Sequence, residues 1–346
     1  MKAVKVKSKG HAEVEDVPLP QLRPGYALVK TMAVALNPTD WKQIDFMSPE
    51  GCTTGIDYAG VVQEVGPGVK HVAVGDKVAG FAHGGNSSNK EDGAFAEYIM
   101  ARDGIQMKKP DRLSWEEAAT LGGGITTIGQ GLYQSLGLPL PSQPAASKFP
   151  VLIYAGSTAT GSLAIQFAKL SGLEVLTTCS PRNFDFVRSL GADAVFDYHS
   201  PTCGADIRAY TQNSLYHAFD CISEHSSPQI CADALSSETA YRQPRYSALL
   251  PVDFPRKDVK SNVTLGYCIF GEEFEKMGHN FPAKKEDHEF GVTFFGLSQQ
   301  LLEEKKFRVH PQDVREGGLE GVLNGLDDLR QGKVSAKKLV YRIANA

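Results

Sequence analysis

The run Val151-Leu152-Ile153-Tyr154-Ala155-Gly156-Ser157-Thr158-Ala159-Thr160-Gly161 passes from an apolar stretch into glycine and hydroxyl residues. A turn of this kind, set between a buried strand and a helix, offers backbone N–H groups and the positive end of the helix dipole to a pyrophosphate. Only Gly156 and Gly161 remain of the usual three-glycine pattern, with Thr158 in the middle slot. The hydroxyls of Ser157, Thr158 and Thr160 would then replace some backbone contacts to phosphate. A structural turn with an N-cap accounts for the same residues. About twenty residues further on, where a carboxylate would bind a free ribose, the chain reads Cys179-Ser180-Pro181-Arg182-Asn183. This tip carries a hydroxyl, a guanidinium and an amide instead. A carboxylate would repel a ribose 2′-phosphate, whereas arginine can hold one with two parallel hydrogen bonds. The pattern points to NADPH, with a solvated surface arginine as the plain alternative.

The elements that must position these residues alternate in type. Val151–Ala155, Leu173–Thr178 and Ala194–Asp197 read as strands. Between them lie a helix with Leu163, Phe167 and Leu170 on one face and a second helix, Phe184 to Leu190, stopped by Gly191. Strands alternating with helices imply right-handed crossovers in a parallel sheet. The first third is different, with short β-type runs (Met1–Lys7, Ala27–Leu36, Tyr58–Gly66, Val74–Gly80) broken by Asn37-Pro38 and Pro67-Gly68. The polar, glycine-rich stretch Ala82–Gly93 reads as a mobile loop. Near the end, Leu319, Val322, Leu323, Leu326 and Leu329 mark a helical stripe. The terminal strand Lys338–Ile343 is expected to return to the first domain.

Composition sets outer bounds. A chain of 346 residues with 42% hydrophobic and 22% charged residues has material for two domains. The net charge of -4 gives no basic footprint for nucleic acid. No apolar run of about 18 residues is present to span a membrane, and the N-terminus lacks a signal peptide's apolar block, so the cytoplasm is the expected location. The six cysteines form no C-x-x-C pair and read as reduced, buried thiols.

At this point the chain resembles a known family. Gly55-x-Asp57-x-x-Gly60, Val74-Gly75-Asp76-Lys77-Val78 and Gly93-Ala94-Phe95-Ala96-Glu97-Tyr98 look like the quinone-oxidoreductase-type medium-chain reductases. Gly156-Ser157-Thr158-Ala159-Thr160, Thr178-Cys179-Ser180-Pro181-Arg182-Asn183-Phe184-Asp185 and Thr264-Leu265-Gly266-Tyr267-Cys268-Ile269-Phe270-Gly271 are similar to fungal trans-acting enoyl reductases, which serve polyketide synthases lacking a working reductase domain. The resemblance implies an α/β fold. A GroES-like, partly closed β-barrel catalytic domain would span 1–122 and 290–346, and a Rossmann doubly wound parallel-sheet domain would bind NADPH over 123–289.

By the same resemblance the cofactor would touch Thr39, Asp40, Trp41 and Lys42, then Ser157, Thr158, Ala159 and Thr160, and Ser180, Pro181, Arg182 and Asn183. Tyr198 would lie near the adenine, with Leu249 and Leu250 at the nicotinamide and Ser335-Ala336 as a late contact. Thr127-Ile128-Gly129-Gln130-Gly131-Leu132-Tyr133-Gln134 and Tyr267-Cys268-Ile269-Phe270-Gly271 match the acyl-pocket walls. Such apolar runs also serve as plain core.

Zinc-dependent alcohol dehydrogenases of this superfamily carry a cysteine where this chain has Asn37, and Gly-His-Glu where it has Gly55-Ile56-Asp57. With both ligand types missing, no tetrahedral zinc site is expected. Metal-free chemistry suits a substrate whose charge delocalises. Hydride added to the β-carbon of an enoyl thioester leaves an enolate, which needs hydrogen-bond donors and then a proton at the α-carbon. One oriented donor is worth ~3 kcal/mol of barrier. Lys42 is the catalytic candidate, placing cofactor phosphate or ribose or polarising the thioester carbonyl; the bland alternative is a surface lysine. Related mitochondrial-type reductases use a tyrosine just past this turn, and Trp41–Pro49 contains none. The proton source stays open between solvent and Tyr267.

The expected function is an NADPH-dependent, zinc-independent enoyl reductase. It would act in trans, as a monomer, on an α,β-unsaturated thioester held by the acyl carrier protein of a partner polyketide synthase in secondary metabolism. A quinone or enone reductase on the same fold and a non-catalytic NADPH-binding protein are the rivals.

Overall fold

The computed structural model describes residues 1–47, 49–276 and 278–344. They divide into two compact units, one of residues 1–126, 267–305 and 309–346, the other of 127–266 and 306–308.

In the second unit six strands pair in parallel, in the spatial order Ala194–Asp197, Glu174–Cys179, Pro150–Tyr154, His217–Asp220, Arg245–Ala248, Lys260–Val263. Numbered along the chain this is 3-2-1-4-5-6, the doubly wound order of dinucleotide-binding folds. Val151, Leu152 and Ile153 are fully buried, as expected of a strand covered on both faces. The helix Ala159–Leu170 turns Leu163 and Phe167 inward, and Thr158 caps it by accepting a hydrogen bond from the Gly161 N–H at 3.0 Å. Phe167 is fully buried and its ring packs 5.0 Å from that of Phe307.

The first unit is built on a seven-stranded sheet. Its path runs Gln312–Arg315, Lys338–Arg342, Tyr26–Ala35, Asp57–Val65, Lys77–Phe81, Gln106–Lys108, with Tyr98–Arg102 paired to the other side of Tyr26–Ala35. All pairings are antiparallel except the one between Gln312–Arg315 and Lys338–Arg342. The terminal strand does return here, with Val340 opposite Ala35 and Arg342 opposite Ala33. A hairpin, Lys2–Ser8 with His11–Asp16, adds Val4 and Val6 to the core. The helix Gly318–Arg330 covers one end with Leu319, Val322 and Leu326.

Three details differ from the sequence reading. Residues 267–289, grouped there with the cofactor domain, cluster with the first unit, because Tyr267 and Phe270 stack on Phe81 and His83. The strand expected from Val74 begins at Lys77, since Gly75 takes a left-handed φ of +89° in the preceding turn. The loop Ala82–Gly93 is fastened rather than open. Ala82 to Asn86 are buried, Asn86 donates to Asp92 at 3.0 Å, and Arg23 grips both oxygens of Asp92 at 2.8 and 2.9 Å. Hydrophilic composition concealed how many of its polar groups find partners inside.

Replacing Phe167 with alanine removes a fully buried ring and is expected to cost ~3–5 kcal/mol. Val74, 63% exposed, should tolerate alanine within about 0.5 kcal/mol. Urea unfolding followed by tryptophan fluorescence and circular dichroism compares the two.

Candidate active site

A buried carboxylate organises the first unit's candidate site. Asp57 opens its strand and is wholly inaccessible to solvent. It accepts hydrogen bonds from the Asn37 amide at 2.8 Å, from the Gly123 backbone N–H and from the Lys338 ammonium. Lys338, itself 4% exposed, also donates to the Thr120 carbonyl at 3.3 Å. A charge taken out of water needs this density of partners to persist.

Asn37 is in turn the N-cap of a short helix, Pro38–Lys42. Its backbone N–H donates to Asp40 Oδ2 at 2.7 Å. Asp40 is fully buried, and burial pushes its carboxyl well above the usual range, with the nearby Asp57 adding to the effect. One oxygen of Asp40, a residue expected among the cofactor contacts, thus serves the cap, and its other oxygen is buried without a hydrogen-bond partner among the described residues. Thr39, Trp41 and Lys42 are half-buried on the outer part of the turn. The Trp41 ring has the Lys42 ammonium 5.7 Å from its centroid and the Arg330 guanidinium at 5.8 Å. Arg330 fixes the next turn through Asp45, with bonds of 2.7 and 2.8 Å. Ser335 and Ala336 lie just ahead of Lys338, Ala336 at a positive φ of 53°.

Tyr267 to Phe270 belong to the 3-10 turn Gly266–Phe270, and Gly271 follows it at a left-handed φ of 69°. Ile269 and Phe270 are buried and Cys268 is half-buried. The Tyr267 hydroxyl points at the helix just described, accepting from Gln43 Nε2 and lying 3.5 Å from Thr39 Oγ1.

In the second unit the phosphate-loop candidate is tightly made. A Cβ on Gly156 would come within 2.1 Å of Thr177 Oγ1, and one on Gly161 within 2.3 Å of the Ala155 carbonyl. The Thr158 hydroxyl, read from sequence as a phosphate ligand, instead accepts from Gly161 N–H and donates to the Ala155 carbonyl at 2.8 Å. Ser157, Ala159 and Thr160 are half-exposed around it. At the neighbouring strand end, Ser180 donates to the Tyr198 hydroxyl at 3.3 Å, which ties Tyr198 to the tip. Pro181 and Arg182 are exposed and Asn183 half-buried. The backbone N–H of Leu249 is held by Ser223 Oγ at 2.8 Å, and Leu250 is half-buried beside it.

The Thr127–Gln134 run, expected to wall an acyl pocket, also lies in the second unit. Ile128, Gly129, Gln130, Gly131, Leu132 and Tyr133 are buried, Thr127 is half-buried and Gln134 exposed. A Cβ on Gly131 would meet the Phe219 ring at 2.3 Å, and Tyr133 faces Ser171 at 3.2 Å. Gly131 and Tyr133 thus have packing partners within the unit.

The sequence reading missed Asp57, Lys338, Gln43, His83 and Lys276 as site components. Asp57 was noted only as part of a motif. Lys338 stands beside the exposed Lys337 and opens the apolar run Leu339-Val340-Tyr341, so nothing local marks one lysine as inward.

Replacing Lys338 with methionine strands the Asp57 charge and should cost ~3–5 kcal/mol, while the double replacement Lys338→Met with Asp57→Asn should recover most of it. Thermal and urea denaturation of both variants tests this. Asp40 gives a pH signature. Its raised folded-state pKa favours the native state below the unfolded carboxyl value of about 3.9, and that contribution is lost as pH rises through the folded value. Asp40→Asn should accordingly gain stability relative to wild type as pH rises from about 4 towards neutrality.

The family model described as the alcohol dehydrogenase GroES-like domain matches residues 23–111, and that described as zinc-binding dehydrogenase matches 159–237. The zinc of the second description does not fit the residues present. Ile56 offers no donor atom, the Asn37 amide already donates to Asp57, and a lysine ammonium balances that carboxylate. Among the described residues no cluster of three or more His, Cys, Asp or Glu is arranged to hold a metal. The chain is 49% identical over 346 residues to the trans-enoyl reductase ACTTS2 of Alternaria alternata, covering 99% of this chain and 98% of that protein. It is 54% identical over 262 residues to the trans-enoyl reductase TOXD of Cochliobolus carbonum, covering 75% and 87%. Among solved structures the CurK enoyl reductase superposes with a TM-score of 0.75 at 19% identity, covering 99% of this chain and 98% of that one, a likeness of fold. With this sheet order and near full-length identity of this size, the chain belongs to the medium-chain dehydrogenase/reductase superfamily and, within it, to the family of the fungal trans-enoyl reductases.

Proposed function

We propose that the protein is an NADPH-dependent enoyl reductase that acts in trans on an α,β-unsaturated thioester carried by a polyketide synthase. The observation that supports this most is the likeness, over 99% of the chain, to a protein named a trans-enoyl reductase. The site chemistry agrees with it. Bound reduced nicotinamide would supply a hydride to the β-carbon of the substrate. What the chain must then provide is a place for negative charge and a proton, and both tasks suit hydrogen-bond donors without a metal.

The adenosine end of the cofactor is assigned to the second unit. Ser180, Arg182 and Asn183 form a carboxylate-free tip beside Tyr198, which favours a 2′-phosphate. The N-terminus of the helix Ala159–Leu170, with Ser157 and Thr160 at its mouth, would receive the pyrophosphate. In the first unit, Thr39, Trp41 and Lys42 form the turn assigned to the nicotinamide end. Lys42 is the group we assign to orient the cofactor or the thioester carbonyl.

The test uses the purified chain with a short enoyl-pantetheine thioester. NADPH should be consumed with the thioester and not with a quinone, and the product should gain two hydrogens. Lys42→Ala should lower this turnover by ~10²-fold or more. Arg182→Ala should weaken NADPH by roughly tenfold or more, the loss of one charge-assisted pair, and leave NADH unchanged. Equal weakening of the two cofactors would remove the NADPH assignment, and consumption with quinone alone would replace the enoyl one.

A further inference from the structure

Behind the Pro38–Lys42 helix lies a buried polar array that the assignments above leave idle. The Tyr267 side chain is 4% exposed. Its hydroxyl oxygen accepts from Gln43 Nε2, and Thr39 Oγ1 lies 3.5 Å away. Gln43 Nε2 also donates to Thr39 Oγ1, at 3.4 Å. A hydroxyl has one proton and two acceptor sites. Gln43 fills one acceptor site on Tyr267, and between the two hydroxyls either can be the donor. In the orientation a relay needs, the phenolic proton goes to Thr39, both acceptor sites on Thr39 are then filled by Gln43 and Tyr267, and the Thr39 proton is the one that leaves the array. Thr39 is half-buried whereas Tyr267 and Gln43 are buried, so the series runs from inside to outside. Hydrogen bonds this long are common before a substrate tightens a site.

The other face of the Tyr267 ring supplies the second observation. The Lys276 ammonium sits 3.9 Å from the ring centroid. Its remaining partners are the carbonyls of Gly85 and Gly84, at 3.3 and 3.4 Å. Lys276 is as buried as Tyr267 and, among the described residues, is in no ion pair. Facing it are Tyr267, the Cys52 thiol and His83. Arg23, held by Asp92, lies beyond His83, and His279 is opposite Lys276 on its own hairpin. Burial raises the Cys52 thiol and keeps His83 neutral, the latter reinforced by Lys276 and Arg23. The His83 ring stacks nearly parallel on Tyr267, 4.5 Å away at 16°, so its N–H groups do not aim at the phenol oxygen. Burial brings the Lys276 pKa down to about 7. Burial, with Asp40 and Asp57 nearby, holds the Tyr267 phenol well above its usual range, so it keeps its proton at rest. An ammonium buried without a counter-charge is costly, and a phenolate formed transiently on the adjacent ring would supply one.

We propose that Tyr267 is the proton reservoir for the α-carbon, delivering through the Thr39 hydroxyl, with Lys276 as the counter-charge for the phenolate. This rests on the enoyl-thioester reading. After hydride reaches the β-carbon, the enolate's electron pair forms the α C–H bond with the Thr39 hydroxyl proton. The Thr39 oxygen takes the Tyr267 proton as that O–H bond breaks. The negative charge thus moves from the substrate to the Tyr267 phenolate beside Lys276. Water returns one proton through Thr39 once product has left, so each turnover uses one hydride and one solvent proton. Thr39 is the catalytic residue of this step; Tyr267 and Lys276 act through it.

The experiment measures single-turnover reduction of an enoyl-pantetheine thioester by NADPH in mixtures of light and heavy water. Wild type should give a bowed dependence on deuterium fraction, because two protons move together. Tyr267→Phe should lower the rate by ~10²-fold, with KM for the thioester little changed, and make the dependence a straight line. Thr39→Val should do the same, and Thr39→Ser should restore both rate and curvature. In wild type kcat should fall as pH rises through about 7 and Lys276 loses its proton; Lys276→Met should be slower and lose that fall. Tyr267→Phe at the wild-type rate, or with the wild-type curvature, would overturn the assignment. If wild type reduces no enoyl thioester, the function reading itself fails and takes this one with it.

Discussion

Asp57 and Lys338 stand 281 positions apart in the chain and meet where neither touches water to any extent. A carboxylate in that position must be neutralised and must have its acceptor sites filled, and four separate segments contribute. Lys338 brings the terminal strand, Asn37 the entry to the turn, Gly123 the start of the helix Gly122–Ile128, and Asp57 its own strand. The position of Thr39, Trp41 and Lys42 follows from this. They occupy one five-residue helix whose N-cap residue, Asn37, binds Asp40 through its backbone N–H and Asp57 through its side-chain amide. Breaking a buried pair of this kind is expensive because the remaining charge is stranded, so the turn cannot drift without cost. The interaction also explains the mismatch with zinc. The charge of Asp57 is balanced instead by the ammonium of Lys338, on the strand beside Tyr26–Ala35.

Close packing rather than charge is the equivalent constraint in the second unit. Gly156 and Gly161 both lack room for a side chain, which draws the loop tightly between the first strand of the sheet and the following helix. Thr158 can replace the middle glycine because its hydroxyl takes over a backbone task, capping the helix and closing the turn onto Ala155. The departure from three glycines thus keeps the helix N-terminus intact, and with it the free N–H groups of its first turn.

Much of the fold was legible in sequence because its signals are local and periodic. The buried run Val151–Tyr154, the Leu163 and Phe167 spacing and the Gly191 stop each act within a few residues, and the strand order follows from handedness rules once strands alternate with helices. The buried partners of the candidate residues were not legible in the same way. Thr39, Lys42 and the Arg182 tip sit in recognisable motifs, while Gln43, His83, Lys276 and Lys338 have their roles through partners dozens to hundreds of positions away. A lysine that opens an apolar strand reads as a surface charge unless its partner is known. The polar loop from Ala82 misled for the same reason, since Asn86, Asp92 and Arg23 satisfy one another across distance in sequence.

The two buried lysines of the first unit show why pairing decides what a charge can do. Lys338 lies against a carboxylate, so the pair presents almost no net field to its surroundings and answers weakly to charge appearing nearby. Lys276 lies against carbonyl dipoles and an aromatic face. Its field is not cancelled, and in a medium of low dielectric it acts strongly on any negative charge formed beside it. A metal-dependent dehydrogenase stabilises negative charge on the substrate oxygen itself. Here the uncancelled cation lies behind a tyrosine, two hydroxyls from the outer face of the turn. In the proposed reaction, charge would therefore be best stabilised after it has left the substrate, which suits a reaction that finishes by taking up a proton.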